Sequence, residues 1–159
     1  MKPKITVIQN LSLQNKPSYI NRRELGCREI KCIETPNTLL EEDRTQLTET
    51  MKRQLNVRIM KAKSIKEFQT FGFFIYGFEI ELYVMRFDKE NGYQLYLSQN
   101  ITLSTTSSSY SNLDITLGLL LAFKNIITAS LSDDTDATEP YIYNKYVMLL
   151  KPTVEFVNE

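Results

Sequence analysis

Apolar positions along the chain switch between two periods. Residues 4–11 (Lys-Ile-Thr-Val-Ile-Gln-Asn-Leu) are β-branched and apolar and predict a first strand. A polar stretch over 12–23 follows, with Lys16-Pro17, and then residues 28–33 predict a second strand that Thr35-Pro36-Asn37-Thr38 breaks. From about 39 to 62 the spacing becomes helical: Leu40, Leu47, Met51, Leu55 and Ile59 fall on one stripe. Thr38 is the expected N-cap, with Glu41 three residues on to complete a capping box. Arg44 sits inside the stripe and Arg58 at its edge. An arginine there needs a partner or an anion, or a stem that carries its head to the rim.

Strand character returns over 71–103. Residues 71–76 are aromatic-rich, Gly77-Phe78 marks a reversal, and 79–87 form the next strand. Asn91-Gly92 signals a hairpin, and 93–97 and 101–103 finish the sheet. Ser111 caps a second helix with Asp114 three residues on, where an acid favours the helix dipole. That helix runs to about 131. It is apolar on nearly all sides, which predicts deep packing in the core rather than a membrane span. Residues 132–139 are acidic and polar, and the stretch 140–157 carries Tyr141, Tyr143, Tyr146 and Phe156. The expected organisation is a core domain over 1–131, with an acidic loop and an aromatic extension over 132–159 that packs on it. The fold class is α/β (α+β), a mixed sheet flanked by two main helices.

With 159 residues, 42% of them apolar, one domain with a sizeable core is expected. Lys+Arg and Asp+Glu both number 19, so no general affinity for polyanions follows from net charge. No basic segment leads into an apolar run at the N-terminus, so an intracellular protein is expected, without a secretory signal or membrane anchor. Cys27 and Cys32 have opposite strand parity, which argues against a redox pair and predicts buried free thiols. Histidine is absent. That excludes Ser-His-Asp and Cys-His catalysis and the histidine-bearing zinc enzymes. Any chemistry rests on carboxylates, lysines, arginines, tyrosines or a hard, oxygen-liganded cation.

Glu29 and Lys31 carry the most specific chemical suggestion. Two residues apart on a strand, they share a face. A carboxylate that holds a divalent cation beside a lysine that orients water is the requirement of a metal-dependent nuclease. The same pair also suits an ordinary solvated strand face. Lys52, Arg53, Arg58, Lys61, Lys63 and Lys66 form a basic run near the end of the first helix, a candidate phosphate-binding strip that also complements the helix C-terminus.

Residues 25–131 resemble a protein group of early-diverging (mucoralean-type) fungi with a PD-(D/E)xK restriction-endonuclease-like core. The matching segments are Gly26-Cys27-Arg28-Glu29-Ile30-Lys31, Glu42-Asp43-Arg44 and Lys52-Arg53-Gln54-Leu55, then Gly77-Phe78-Glu79-Ile80-Glu81-Leu82-Tyr83 and Phe123-Lys124-Asn125. The resemblance implies a restriction-endonuclease-like fold. It casts Glu29 and Lys31 as catalytic residues and Glu29 as a metal ligand, with Mg²⁺ as cofactor if the site is active. Arg44, Lys52, Arg53 and Arg58 become the candidate contacts to phosphate or nucleic acid.

The chain departs from that pattern at one point. The acid expected on the strand before Glu-x-Lys is missing, and Thr6 stands roughly in its place. Either the copy is diverged or lacks an upstream stretch, or a carboxylate has migrated, with Glu24 or Asp43 as the substitute. Two functions remain open. One is a catalytically impaired nuclease-like domain that acts as an interaction module, binding protein through its C-terminal aromatic extension. The other is an active Mg²⁺-dependent nuclease using Glu29 and Lys31.

Overall fold

The computed structural model describes residues 25–103, 106, 111–131 and 142–150. The strand expected over 4–11, Thr6 and Glu24 lie outside the described residues. The described chain is a mixed α+β structure with a four-stranded sheet in the order β1-β2-β3-β4. Strand β1 (Gly26–Lys31) leads into helix α1 (Asn37–Lys61), which returns the chain to β2 (Gln69–Tyr76) running parallel to β1. A parallel neighbour requires such a crossover. Strands β3 (Glu79–Asp88) and β4 (Gly92–Thr102) then add by antiparallel hairpins, and helix α2 (Ser111–Ala129) follows.

The two hairpin turns form where the sequence places them. Gly77 has φ +56° and Gly92 φ +68°, left-handed values that favour glycine. The Asp88 carboxylate accepts the backbone N–H groups of Glu90 and Asn91 at 2.8 and 2.6 Å, which tightens the second turn. The expected strands at 93–97 and 101–103 are one strand. A bulge beside Leu82/Tyr83 pairs Tyr83 with Leu97 but Leu82 with Gln99, so Ser98 is the extra residue. Tyr93 consequently faces α1, whereas Ile101 faces the opposite side.

Alternation along the strands builds two cores, one on each face. Cys27, Phe74, Met85 and Phe87 meet Leu40, Leu47, Met51, Leu55 and Ile59 of α1. On the other face Phe71, Leu82, Val84 and Ile101 surround Phe123 of α2. Gly72 lets α1 lie close, because a β-carbon there would come within 2.5 Å of the Met51 sulfur. Tyr146, in the described part of the C-terminal stretch, packs edge-on against Phe68 with ring centres 5.0 Å apart.

Three expectations change in the structure. The capping box does not form: Pro36 occupies the N-cap of α1 without a side-chain hydrogen bond, Thr38 lies inside the helix, and Glu41 turns to Arg44 instead. Neither cysteine forms a disulfide, but only Cys27 is buried, since Cys32 lies just past the end of β1 and is exposed. Helix α2 is not deeply packed. Only 11% of its apolar stretch Asn112–Ala129 is buried, and among the described residues a single sheet face supports it. Among the described residues it is also the one helix long and apolar enough to cross a membrane.

Leu55 is fully buried where α1 crosses the sheet. Leu55→Ala is expected to destabilise the fold by about 2–5 kcal/mol. Urea denaturation should show this as a lower midpoint with an unchanged slope.

Candidate functional site

Strand parity decides which way the Glu-x-Lys pair points. Cys27, Glu29 and Lys31 share a face of β1, and Cys27 is packed under α1. Glu29 and Lys31 therefore face α1 as well, near the end of the strand. Above them α1 places Asp43 one helical turn after Leu40, on the side that meets the sheet. The Lys31 ammonium sits between two carboxylates, 3.1 Å from Glu29 Oε1 and 2.9 Å from Asp43 Oδ2. All three side chains are largely covered, with 11–16% of each exposed. Burial alone would lower the Lys31 pKa. Its hydrogen bonds to Asp43 and Glu29 outweigh burial and hold the pKa above the ordinary lysine value.

Arg44, the next residue on α1, anchors a second cluster. Its guanidinium donates from Nε to Glu81 Oε2 at 2.9 Å and from Nη2 to Glu81 Oε1 at 2.6 Å, a two-pronged contact. Nη1 donates to Glu41 at 2.6 Å. The guanidinium carbon lies 5.0 Å from the Phe74 ring centre and 5.5 Å from that of Tyr76. Tyr83 donates its hydroxyl to Glu81 Oε2 at 2.7 Å. The hydrogen bonds to Glu81 raise the Arg44 pKa beyond its already high value. Burial pushes the Glu81 carboxyl up, but the bonds from Arg44 and Tyr83 prevail and hold it below the usual range. Burial and the bond to Glu81 push the Tyr83 phenol well above its ordinary value.

The other expected phosphate contacts do not gather at this site. Lys52 is buried and its ammonium stacks 4.7 Å from the Tyr93 ring centre. Arg58 is buried and donates from Nη2 to the Ser130 carbonyl at 3.4 Å, tying α1 to the end of α2. Arg53 is exposed and comes no nearer than 3.9 Å to Glu49. A continuous basic strip is therefore not what these residues form, because two of them turn inward where the helix meets the sheet and α2.

Asp43 is a carboxylate the sequence nominated as a substitute acid, and it stands beside Glu29. Glu81 was not singled out, although its parity with Tyr83, Met85 and Phe87 placed an acid on the core side of β3. Four carboxylates (Glu29, Glu41, Asp43 and Glu81) surround two cations here, an excess of two negative charges. Among the described residues, no three carboxylate or thiol groups converge as metal ligands. Mg²⁺ takes one or two carboxylates with waters and substrate oxygens, but the Lys31 ammonium stands between this pair, so as arranged they do not fit a resident Mg²⁺. Comparison with known proteins gave no matching family model, no matching curated protein and no matching solved structure.

The depressed Glu81 carboxyl has a pH consequence. Its contribution to stability is present above the unfolded-state carboxyl pKa of about 4.3 and is lost as pH falls through the lower folded value. Glu81→Gln should cost about 2 kcal/mol at neutral pH, since Arg44 keeps partial exposure and Glu41. In urea denaturation from pH 7 to pH 3, the gap between wild type and variant should shrink at the acid end.

Proposed function

We propose that this chain is a diverged restriction-endonuclease-like domain of impaired catalytic power that works inside the cell as an interaction module. One observation carries the proposal: the Lys31 ammonium fills the space between Glu29 and Asp43. A nuclease of this kind needs a cation at its paired carboxylates to meet the charge that develops on the phosphate. Here the chain's own lysine takes that place and offsets one of the pair's two charges. The side chain that would receive phosphate, Arg44, is engaged by Glu81 and Glu41. A polyanion approaching a cluster with excess negative charge is repelled. The nuclease-like ancestry is supported by the Glu-x-Lys strand leading straight into a long helix and on to a parallel neighbour.

Asp43 favours a second reading, an active Mg²⁺-dependent nuclease. It is one of the two candidate substitute acids, Glu24 being the other, and it meets the same lysine as Glu29. That reading requires Lys31 to leave the space between Glu29 and Asp43. The two carboxylates would then be the residues to hold Mg²⁺, which would supply a Lewis acid for phosphodiester cleavage, and Lys31 would orient the attacking water.

Labelled single- and double-stranded DNA and RNA, incubated with Mg²⁺ or Mn²⁺, separate the two. The expected result is no cleavage above buffer for wild type, Glu29→Ala or Lys31→Ala. Wild-type cleavage lost in both variants would overturn the impaired reading and establish the second. Calorimetry adds a positive sign. Removing the built-in cation with Lys31→Met should make Mn²⁺ binding at least about tenfold tighter than in wild type, a gain of about 1.4 kcal/mol.

A further inference from the structure

Among the described residues, helix α2 is supported on one side only. Phe123 is buried against the sheet, and Leu119, Leu120, Ile126 and Ile127 pack around it. The side turned away from the sheet carries Leu117 and Leu121, 48% and 57% exposed, with Leu113, 47% exposed, at its edge. Spaced four residues apart, they make one ridge along the helix. A contiguous apolar ridge of this kind marks a contact surface.

Charge indicates what covers the ridge. Helix α2 contains two charged residues, Asp114 and Lys124. Both are exposed, and neither forms an ion pair among the described residues. Their positions are centred on residue 119, and so are those of Leu117 and Leu121. An antiparallel copy of the same helix, related by a two-fold axis at that level, sets Leu117 against Leu121 of the other copy. The same register brings Asp114 level with Lys124 of the other copy, twice over. A self-complementary patch of this type is what a two-fold dimer requires.

We infer that the outer face of α2 is a homodimer interface, with the leucine ridge at its centre and two Asp114–Lys124 pairs between copies at its flanks. This rests on the interaction-module reading and names its partner as a second copy of the chain. The cleavage assay tests chemistry and the following test association, so the two fail separately.

Sedimentation of the full chain over a wide concentration range should show a monomer–dimer equilibrium. Leu121→Glu should weaken the dimer at least about tenfold, by placing charge in the apolar seam. Because Leu121 is exposed, far-UV circular dichroism should stay unchanged. Asp114→Lys and Lys124→Asp should each weaken association roughly three- to tenfold, and the double exchange should restore it. A wild type that stays monomeric at every concentration would overturn the inference. So would a double exchange that fails to recover dimer, or a monomer that floats with phosphatidylcholine vesicles, which would assign the ridge to a lipid surface.

Discussion

The face of the sheet beneath α1 has to bury charge as well as hydrocarbon. Strand alternation leaves no choice: once Cys27 points into the core, Glu29 and Lys31 point the same way. A buried ion without a partner is costly, so the first turns of α1 must supply one. Asp43 does so for Lys31, and Arg44 does so for Glu81 across the sheet. The start of α1 is therefore held by ionic contacts to β1 and β3, and the rest of the helix by Leu47, Met51, Leu55 and Ile59.

That division of labour explains why the polar cluster resembles a reactive site while its cations are already paired. Paired carboxylates beside a lysine are a chemical arrangement as much as a structural one. What separates the two roles is whether the charges have capacity left. Lys31 already bridges two acids, and Arg44 already meets Glu81 with both prongs and Glu41 with the third nitrogen. The aromatic rings of Phe74 and Tyr76 beneath the guanidinium fix it further. A group held by so many contacts stabilises the fold well and is slow to rearrange around a substrate.

The sequence made the helices, the two hairpin turns and the shared face of Glu29 and Lys31 legible, because each depends on local chemistry: stripe spacing, Gly77, Asn91-Gly92 and strand parity. It placed Arg44 within a packing face, and so left a partner, an anion or a stem reaching the rim as its outcomes; the structure gives it Glu81. Glu81 remained hidden, since naming it needs the pairing of β2 with β3, a long-range fact. The β4 bulge was equally invisible. It moves the parity of Ile101 relative to Tyr93, which no single-strand pattern reveals. Lys52 and Arg58 were read as a surface strip from charge alone, but the helix phase puts them toward Tyr93 and Ser130.

Helix α2 shows the limit of composition most clearly. An all-round apolar helix fits either a deep core or a surface waiting for a second layer, and hydropathy is the same for both. The difference lies in how many layers the fold provides. The sheet offers α2 one apolar face, made of Phe71, Leu82, Val84 and Ile101, and the other face is occupied by α1. No element among the described residues stands outside α2 to cover Leu113, Leu117 and Leu121. In the homodimer inferred above, association would bury that ridge, and Asp114 and Lys124 would supply the directional term that hydrophobic contact lacks. Two copies that meet through α2 would keep both Glu29 clusters beneath the α1 helices, on the far faces of their sheets. The interface and the charged site can then change independently.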